Sequence, residues 1–380
     1  MNKIKVAVAG LGFIGPAHIE ALRRIPNIEV VAIADISEEI AKTKAKALGI
    51  EKYTSDFDKL ISEDIDSVHI CTPNNLHFEM AKKALHAGKH VICEKPLATT
   101  ISEAEELVLL AEKNKLVNAV HFNIRYYPLI RQMKVMREKG ELGEVYSIIG
   151  SYLQDWLFYE TDYNWRLEPE QSGESRAIAD IGSHLIDLLE YISGLQIVAV
   201  MADFNTIHKT RKKPLKPIET YSGMMLKPED YADVPINTED HANVMLRFNN
   251  GNRGIVTVSQ VSAGRKNRLS LEIAGSKQTY AWTSEQPNDL WIGKRETYNG
   301  AMMRDPSLFD EQSRKLISFP GGHNEGFPDT SKQMFKEVYD AIAKNDFSNP
   351  TYPTFKDGLR ELLLCERIIE SNKKQKWVKV

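Results

Sequence analysis

The sequence predicts an α/β protein of two domains: an N-terminal doubly wound parallel sheet, then an α+β domain with a large, open, mostly antiparallel sheet. Three observations predict this. Short apolar runs alternate with amphipathic stretches as far as about residue 122, a glycine-rich turn joins the first apolar run to the first amphipathic stretch, and beyond Asn123 longer alternating runs take over with only a few helical stretches between them. The boundaries drawn on this basis are 1–123 and 124–380.

In the first domain the pattern predicts strands over Lys3–Ala9, Ile28–Ala34, Ser67–Cys71, His90–Cys93 and Leu116–His121, with helices over Asn75–Ala87 and Ile101–Asn114 between them. Right-handed crossovers turn such a series into a doubly wound sheet. In the second domain a helix is predicted from Pro128 to Lys139, then strands over Glu144–Gln154, His241–Phe248 and Gly254–Val261. The last two are joined by Asn249-Asn250-Gly251-Asn252, strong hairpin chemistry. Further helices are expected over Ala177–Ile192, Ser331–Lys344 and Thr354–Ser371, and the basic cluster His208–Lys216 reads as a solvated loop.

Composition narrows the function classes. The chain has 380 residues, 42% hydrophobic and 27% charged, enough to bury sizeable cores. Lys and Arg total 49 against 52 Asp and Glu, a net charge of -3, so no basic excess serves a nucleic-acid backbone. No stretch approaches the ~20 apolar residues of a membrane span. Three cysteines, Cys71, Cys93 and Cys365, lack zinc-type spacing and read as reduced thiols, which together with the rejection of a secretory signal at the N-terminus predicts a cytoplasmic protein.

Gly10-Leu11-Gly12-Phe13-Ile14-Gly15 is a GxGxxG between a predicted strand and a helix, and Asp35 lies 20 residues past the last glycine. The first glycine permits the tight turn, the second lets the backbone approach a pyrophosphate, and the third allows close helix–strand packing. The helix N-terminus supplies oriented N–H groups for the anion. Asp35 should accept from the ribose hydroxyls and repel a 2′-phosphate, so NAD is expected over NADP, with Lys42 and Lys44 keeping dual use open.

In such sheets ligands bind beyond the carboxyl ends of the strands, where Thr72-Pro73-Asn74-Asn75-Leu76-His77 and Glu94-Lys95-Pro96 fall. A lysine at a strand end can favour an ionised substrate hydroxyl by Coulomb attraction, or can be a surface lysine. In the second domain Asp180 and His184 are four apart on one helical face. They read either as a carboxylate assisting a proton-accepting imidazole, or as a core histidine capped by Asp. No HExxH-like spacing or third ligand accompanies them, so no metal is expected. Between these elements Tyr152, Trp156, Phe158, Tyr159, Tyr163 and Trp165 cluster. Aromatic faces suit a sugar or cyclitol ring and equally suit a core. Arg166, Glu174 and Arg176 could bind hydroxyls, and the loop Gly321-Gly322-His323-Asn324-Glu325-Gly326 is either substrate-facing, through His323, or a turn.

The combination of GxGxxG with Asp35, Glu94-Lys95-Pro96 and Asp180-x-Gly-x-His184 resembles the glucose-fructose oxidoreductase, inositol dehydrogenase and MocA family over essentially the whole chain. The resemblance implies an NAD-binding Rossmann domain, a second domain for substrate binding and oligomerisation, and hydride transfer from a secondary alcohol of a sugar, glycoside or inositol. It carries Lys95 over as catalytic and cofactor-contacting, Asp180 as substrate-binding and His184 as proton acceptor. Thr72, Asn75, His77, Glu94 and Asn123 match positions lining the nicotinamide ribose, and Lys95-Pro96 matches a cis-proline. Ser172 to Arg176 and the GHNEG loop are similar to the branch acting on glucosides or anhydrosugars. An NAD-dependent glycosidase of the same fold and a non-enzymatic sensor are the alternatives, and an exposed sheet face predicts a homodimer or homotetramer.

Overall fold

The computed structural model describes residues 3–216 and 227–380 and divides into two compact units. The first comprises Met1–Asn123 and Phe327–Leu362, the second Ile124–Gly326 and Leu363–Val380. Residues 327–362, grouped by their place in the sequence with the second domain, therefore belong to the first unit. The reason is local: Val120 N–H donates to the Pro353 carbonyl at 3.1 Å, Phe355 N–H donates to Asn118 Oδ1 at 2.9 Å, and Phe355 joins the apolar core of the first sheet.

The first unit carries six parallel strands, β1 (Ile4–Ala9), β2 (Ile28–Ala34), β3 (Lys52–Thr54), β4 (Ser67–Ile70), β5 (His90–Cys93) and β6 (Asn118–Val120), in the order β3-β2-β1-β4-β5-β6. Its strands are near-continuous apolar runs, with Val6, Ala7, Val8, Ala9, Val91, Ile92 and Cys93 buried. Parallel strands read this way when helices cover both faces. The helices have explicit boundaries: Ser37 caps Glu38–Leu48 by accepting from Ile40 N–H, Gly49 closes it at φ 63°, and Thr100 with Glu103 forms a capping box on Ile101–Asn114. The order reverses between β1 and β4, so the loops after those strands flank the ligand crevice of the fold. The short β3 escapes the sequence pattern because three residues offer no alternation to read.

In the second unit the strands are β7 (Val145–Leu153), β8 (Ile197–Asn205), β9 (Thr210–Pro214), β10 (Tyr231–Pro235), β11 (His241–Phe248), β12 (Arg253–Ser259), β13 (Arg268–Gly275), β14 (Thr279–Thr283), β15 (Asp289–Gly293), β16 (Gly300–Met303) and β17 (Val378–Lys379). Nine form one sheet, ordered β16-β15-β14-β13-β7-β12-β11-β8-β17, and β12 pairs with β7 in parallel while its other pairs are antiparallel. One face packs on the helices Pro128–Glu138 and Ser183–Ser193 through Ile148, Tyr152, Val244, Val256, Leu185 and Leu189. The basic cluster is not a loop. Its residues 210–214 form β9, paired with β10, and Arg211 points inward to Asp240 at 2.7 Å. A partner strand beginning at Tyr231 lies too far along the chain for local composition to reveal it.

Candidate active site

In the first unit the glycine-rich turn forms where β1 runs into the helix Ile14–Arg23. Gly10 has φ 89°, and a Cβ there would meet the Cys71 carbonyl at 2.6 Å. A Cβ on Gly15 would lie 2.0 Å from the Gly10 oxygen, so helix and strand touch only because that side chain is missing. A Cβ on Gly12 would meet nothing within 4 Å among the described residues beyond its chain neighbours. The N-cap residue, Phe13, makes no side-chain capping hydrogen bond, and oriented N–H groups at a helix start suit an anion above the open glycine. Asp35 closes the other side, its Oδ2 accepting from Leu11 N–H at 2.7 Å and its Oδ1 from Ile36 N–H at 2.7 Å. Phe13 is exposed beside this cradle. An open glycine, an uncapped helix start and a carboxylate at the end of β2 fit a dinucleotide.

At the end of β5, Lys95 is half-buried and the Lys95–Pro96 peptide is cis. His77 is buried and joins two strand-end turns, with Nδ1 at 2.7 Å from the Pro96 carbonyl and Nε2 at 2.9 Å from the Thr72 carbonyl. The Glu94 carboxylate turns into the interior, taking 3.0 Å from His18 Nε2, 2.6 Å from His121 Nδ1 and 3.2 Å from the Lys95 amide. Asn123 is buried and donates to Thr330 Oγ1 at 2.7 Å. The side chains of His77, Glu94 and Asn123 pack inside the first unit and brace the loops. Thr72 is half-buried and Asn75 exposed.

In the second unit Asp180 lies in a π-helical turn, Ile178–Gly182, immediately before the helix that carries half-buried His184. Such turns replace the regular spacing assumed for an (i, i+4) pair and are frequent at functional sites. Arg166 Nε donates to Asp180 Oδ1 at 3.2 Å and Gln260 Nε2 donates to Oδ2 at 2.9 Å. The Arg166 guanidinium also lies 4.5 Å over the Trp165 ring, so Trp165, Arg166 and Asp180 form one half-buried group.

Arg176 and Tyr152, expected at the substrate, are both buried. Arg176 is fully buried: it pairs with Asp240 at 2.5 Å and donates to Thr238 Oγ1 and Gln260 Oε1, each at 3.2 Å, so its guanidinium is a core anchor. Tyr152 sits in the apolar core because β7 alternates, with Ile148, Gly150 and Tyr152 facing inward. His323 is exposed on a loop whose carbonyls at Phe319, Pro320 and His323 are held by Arg304, itself paired with Glu325 at 2.8 Å.

Residues 4–122 match the model of an oxidoreductase family with an NAD-binding Rossmann fold, and residues 130–281 match a GFO/IDH/MocA C-terminal domain. A levoglucosan dehydrogenase of Pseudarthrobacter phenanthrenivorans is 31% identical over 400 residues, covering 100% of this chain and 99% of that protein. The chain belongs to the GFO/IDH/MocA family of NAD-binding oxidoreductases. A solved levoglucosan dehydrogenase in complex with NADH and L-sorbose superposes with a TM-score of 0.89 at 30% identity, covering 100% of this chain and 99% of the other. A myo-inositol 2-dehydrogenase of Thermotoga maritima is 28% identical over 276 residues, 72% of this chain and 73% of that one. The family's oxidoreductase and NAD-binding character agrees with what the GxGxxG and Asp35 predict.

Sequence reasoning missed a buried cluster of titratable side chains in this family member's first unit. His18, Glu94 and His121 bring three ligand-type atoms together in the interior, and His69 adjoins them. A signal existed: His69 lies in a short strand between the apolar Val68 and Ile70, where a buried imidazole needs a partner. Burial, then the neighbouring imidazole of His121, pushes His18 down to about 4, and burial above all holds His69 well below the ordinary imidazole range. Burial would raise the Glu94 carboxyl, but the charge and hydrogen bonds of His121, then of His18, outweigh it and hold Glu94 well below its usual value.

The unfolded chain thus takes up protons on these imidazoles, starting near 6.5, before the folded protein does, and on Glu94 near 4.5 likewise. All the shifts make folding weaker as pH falls. His18 alone withdraws about 3 kcal/mol between its unfolded and folded values. Urea midpoints should therefore fall steadily from pH 7.5 to 4.5, and a flat profile over that range contradicts the assignment.

Proposed function

We infer that the chain oxidises a secondary alcohol of a sugar, glycoside or inositol, the first unit binding NAD and the second the substrate. Bound NAD would supply the hydride acceptor, held by Gly10, Gly12, Gly15, Asp35 and the N–H groups at Phe13 and Ile14. Lys95 places an ammonium against the hydroxyl and favours its ionised form, His184 accepts the proton, and Asp180, fixed by Arg166 and Gln260, orients the ring hydroxyls. The observation that carries the reading is the full-length match to a levoglucosan dehydrogenase whose solved structure holds NADH and L-sorbose. Among substrates it favours anhydrosugars and glycosides over inositols.

The experiment is NADH absorbance against levoglucosan, glucosides, free sugars and myo-inositol, run with NAD and with NADP. Turnover on an anhydrosugar with NAD supports the reading. Sugar release without net NADH would point to a glycosidase, and bound NAD with no turnover across the panel would point to a sensor.

The same reading includes a homo-oligomer and a cytoplasmic location, the latter supported by three buried thiols, Cys71, Cys93 and Cys365. On the outer face of the large sheet Met245 stands opposite Ile255, and Ile255 opposite Ile149, all exposed in one cross-strand row. An apolar row of this kind is costly in water unless a second copy covers it. Ile255→Asp should lower the mass measured by light scattering to that of a smaller species, and an unchanged mass would remove this face from the assembly.

A further inference from the structure

Four titratable side chains from four separate elements meet beneath the loop that carries Lys95. His18 comes from the helix of the glycine-rich turn, His69 from β4, Glu94 from the end of β5 and His121 from just after β6. The helix Phe327–Lys344 closes the group with Phe335, whose ring lies 4.8 Å from His18 and 4.7 Å from His69, together with Ser331 and Tyr339. Cys71 Sγ lies 3.3 Å from His18 Nδ1.

The donor directions follow from two conditions: an ionised carboxylate only accepts, and a neutral imidazole carries one ring proton. Glu94 Oε1 lies 3.0 Å from His18 Nε2, so that nitrogen carries a proton and donates. Neutral His18 then has a bare Nδ1, which accepts from His69 Nδ1–H at 2.9 Å. His69 Nε2 in turn accepts from the Tyr339 hydroxyl at 2.8 Å, and the Tyr339 oxygen accepts from Ser67 Oγ–H at 2.8 Å. From the other side His121 donates Nδ1–H to the same Glu94 oxygen at 2.6 Å, and its Nε2 stands 3.0 Å from Ser331 Oγ. The second Glu94 oxygen accepts from the amide of Lys95 at 3.2 Å.

We propose that His18 and His121 are positioning residues: His18 ends a one-way hydrogen-bond chain, Ser67 to Tyr339 to His69 to His18, His121 donates from the other side, and the two together fix Glu94 and so tie the Lys95 turn to the helix of the dinucleotide site. Each link donates toward Glu94, where the His18 and His121 N–H groups, 3.3 Å apart, converge on one carboxylate oxygen that can accept both. A chain with a single consistent direction resists rotation of any member, because turning one imidazole reverses a bond at both ends. The proposal rests on the reading of Lys95 as catalytic for its kinetic consequence, while its geometry does not.

The test has two arms. In wild-type protein with ¹⁵N-labelled histidine, NMR at pH 7.5 should find His18 as the neutral Nε2–H tautomer and His69 as the neutral Nδ1–H tautomer. In kinetics, His18→Leu should lower kcat roughly tenfold to a hundredfold, the size of effect a small misplacement produces, with NAD Kd within about twofold of wild type. His18→Gln, whose amide can donate from nearly the same place, should recover most of that loss. The opposite tautomers, a folded His18→Leu with wild-type kcat, a glutamine variant as impaired as the leucine one, or a stoichiometric transition metal in the purified protein would each overturn the chain. Absence of any turnover in the wild type would instead sink the catalytic reading, and the tautomers would still decide the chain.

Discussion

Lys95→Ala is expected to lose a factor of roughly 10² to 10⁴ in kcat, the range that a positioned acid–base or charge-stabilising group supplies. The side chain leaves β5 at the topological side of the sheet where ligands bind, beside a cis-proline and a glutamate whose carboxylate holds its amide. An ammonium at this point stabilises the alkoxide more than the neutral hydroxyl, so its removal acts on the transition state more than on substrate binding. NAD affinity should barely change, since the proposed binding elements, the Gly10 to Gly15 turn and Asp35, do not depend on this side chain. Fluorescence titration with NADH, run beside steady-state kinetics, separates the two effects. If the alanine variant turns over at the wild-type rate, Lys95 is a surface lysine and the catalytic assignment fails.

The NAD-binding half of the protein was legible because its constraints are local. A glycine-rich turn, a strand and a helix occupy consecutive residues, and each glycine meets a different physical demand that the structure shows separately at Gly10, Gly12 and Gly15. The Asn249 to Asn252 turn was legible for the same reason, with Gly251 at φ 87° between strands in register. What could not be read were partnerships across long stretches of chain. Arg176 has the chemistry of a hydroxyl binder, and only the fold reveals that Asp240, 64 residues on, neutralises it in the core. His18 and His121 stand 103 residues apart, and neither has a neighbour in the sequence that calls for a buried acid. Tyr152 differs: the alternation of β7 already assigned it to the core face with Ile148, so the aromatic clustering outweighed a pattern that was the better guide.

The second large effect is expected at His184. His184→Ala should lower kcat by roughly 10² to 10⁴ and, unlike Lys95→Ala, should also remove the limb of the kcat/KM profile in which activity rises with pH. A base must be deprotonated to accept the hydroxyl proton, so the wild type loses activity on acidification, whereas a variant without the base has no such group to protonate. The location supports this division of labour. His184 is half-buried on the first turn of its helix, directly after the π turn that carries Asp180, and Asp180 is itself immobilised by Arg166 and by Gln260. Gln260 is in turn held by Arg176, so the buried pair Arg176–Asp240 reaches the carboxylate through one amide. Rigid support of that kind suits a group that must meet a hydroxyl within hydrogen-bond reach, and it adds nothing for a histidine that merely fills space. A deuterium label on the oxidised carbon completes the measurement: once proton acceptance is impaired and the hydride step limits turnover, the isotope effect on kcat should rise. An alanine variant that keeps wild-type kcat and the same acid limb would assign the base to another residue.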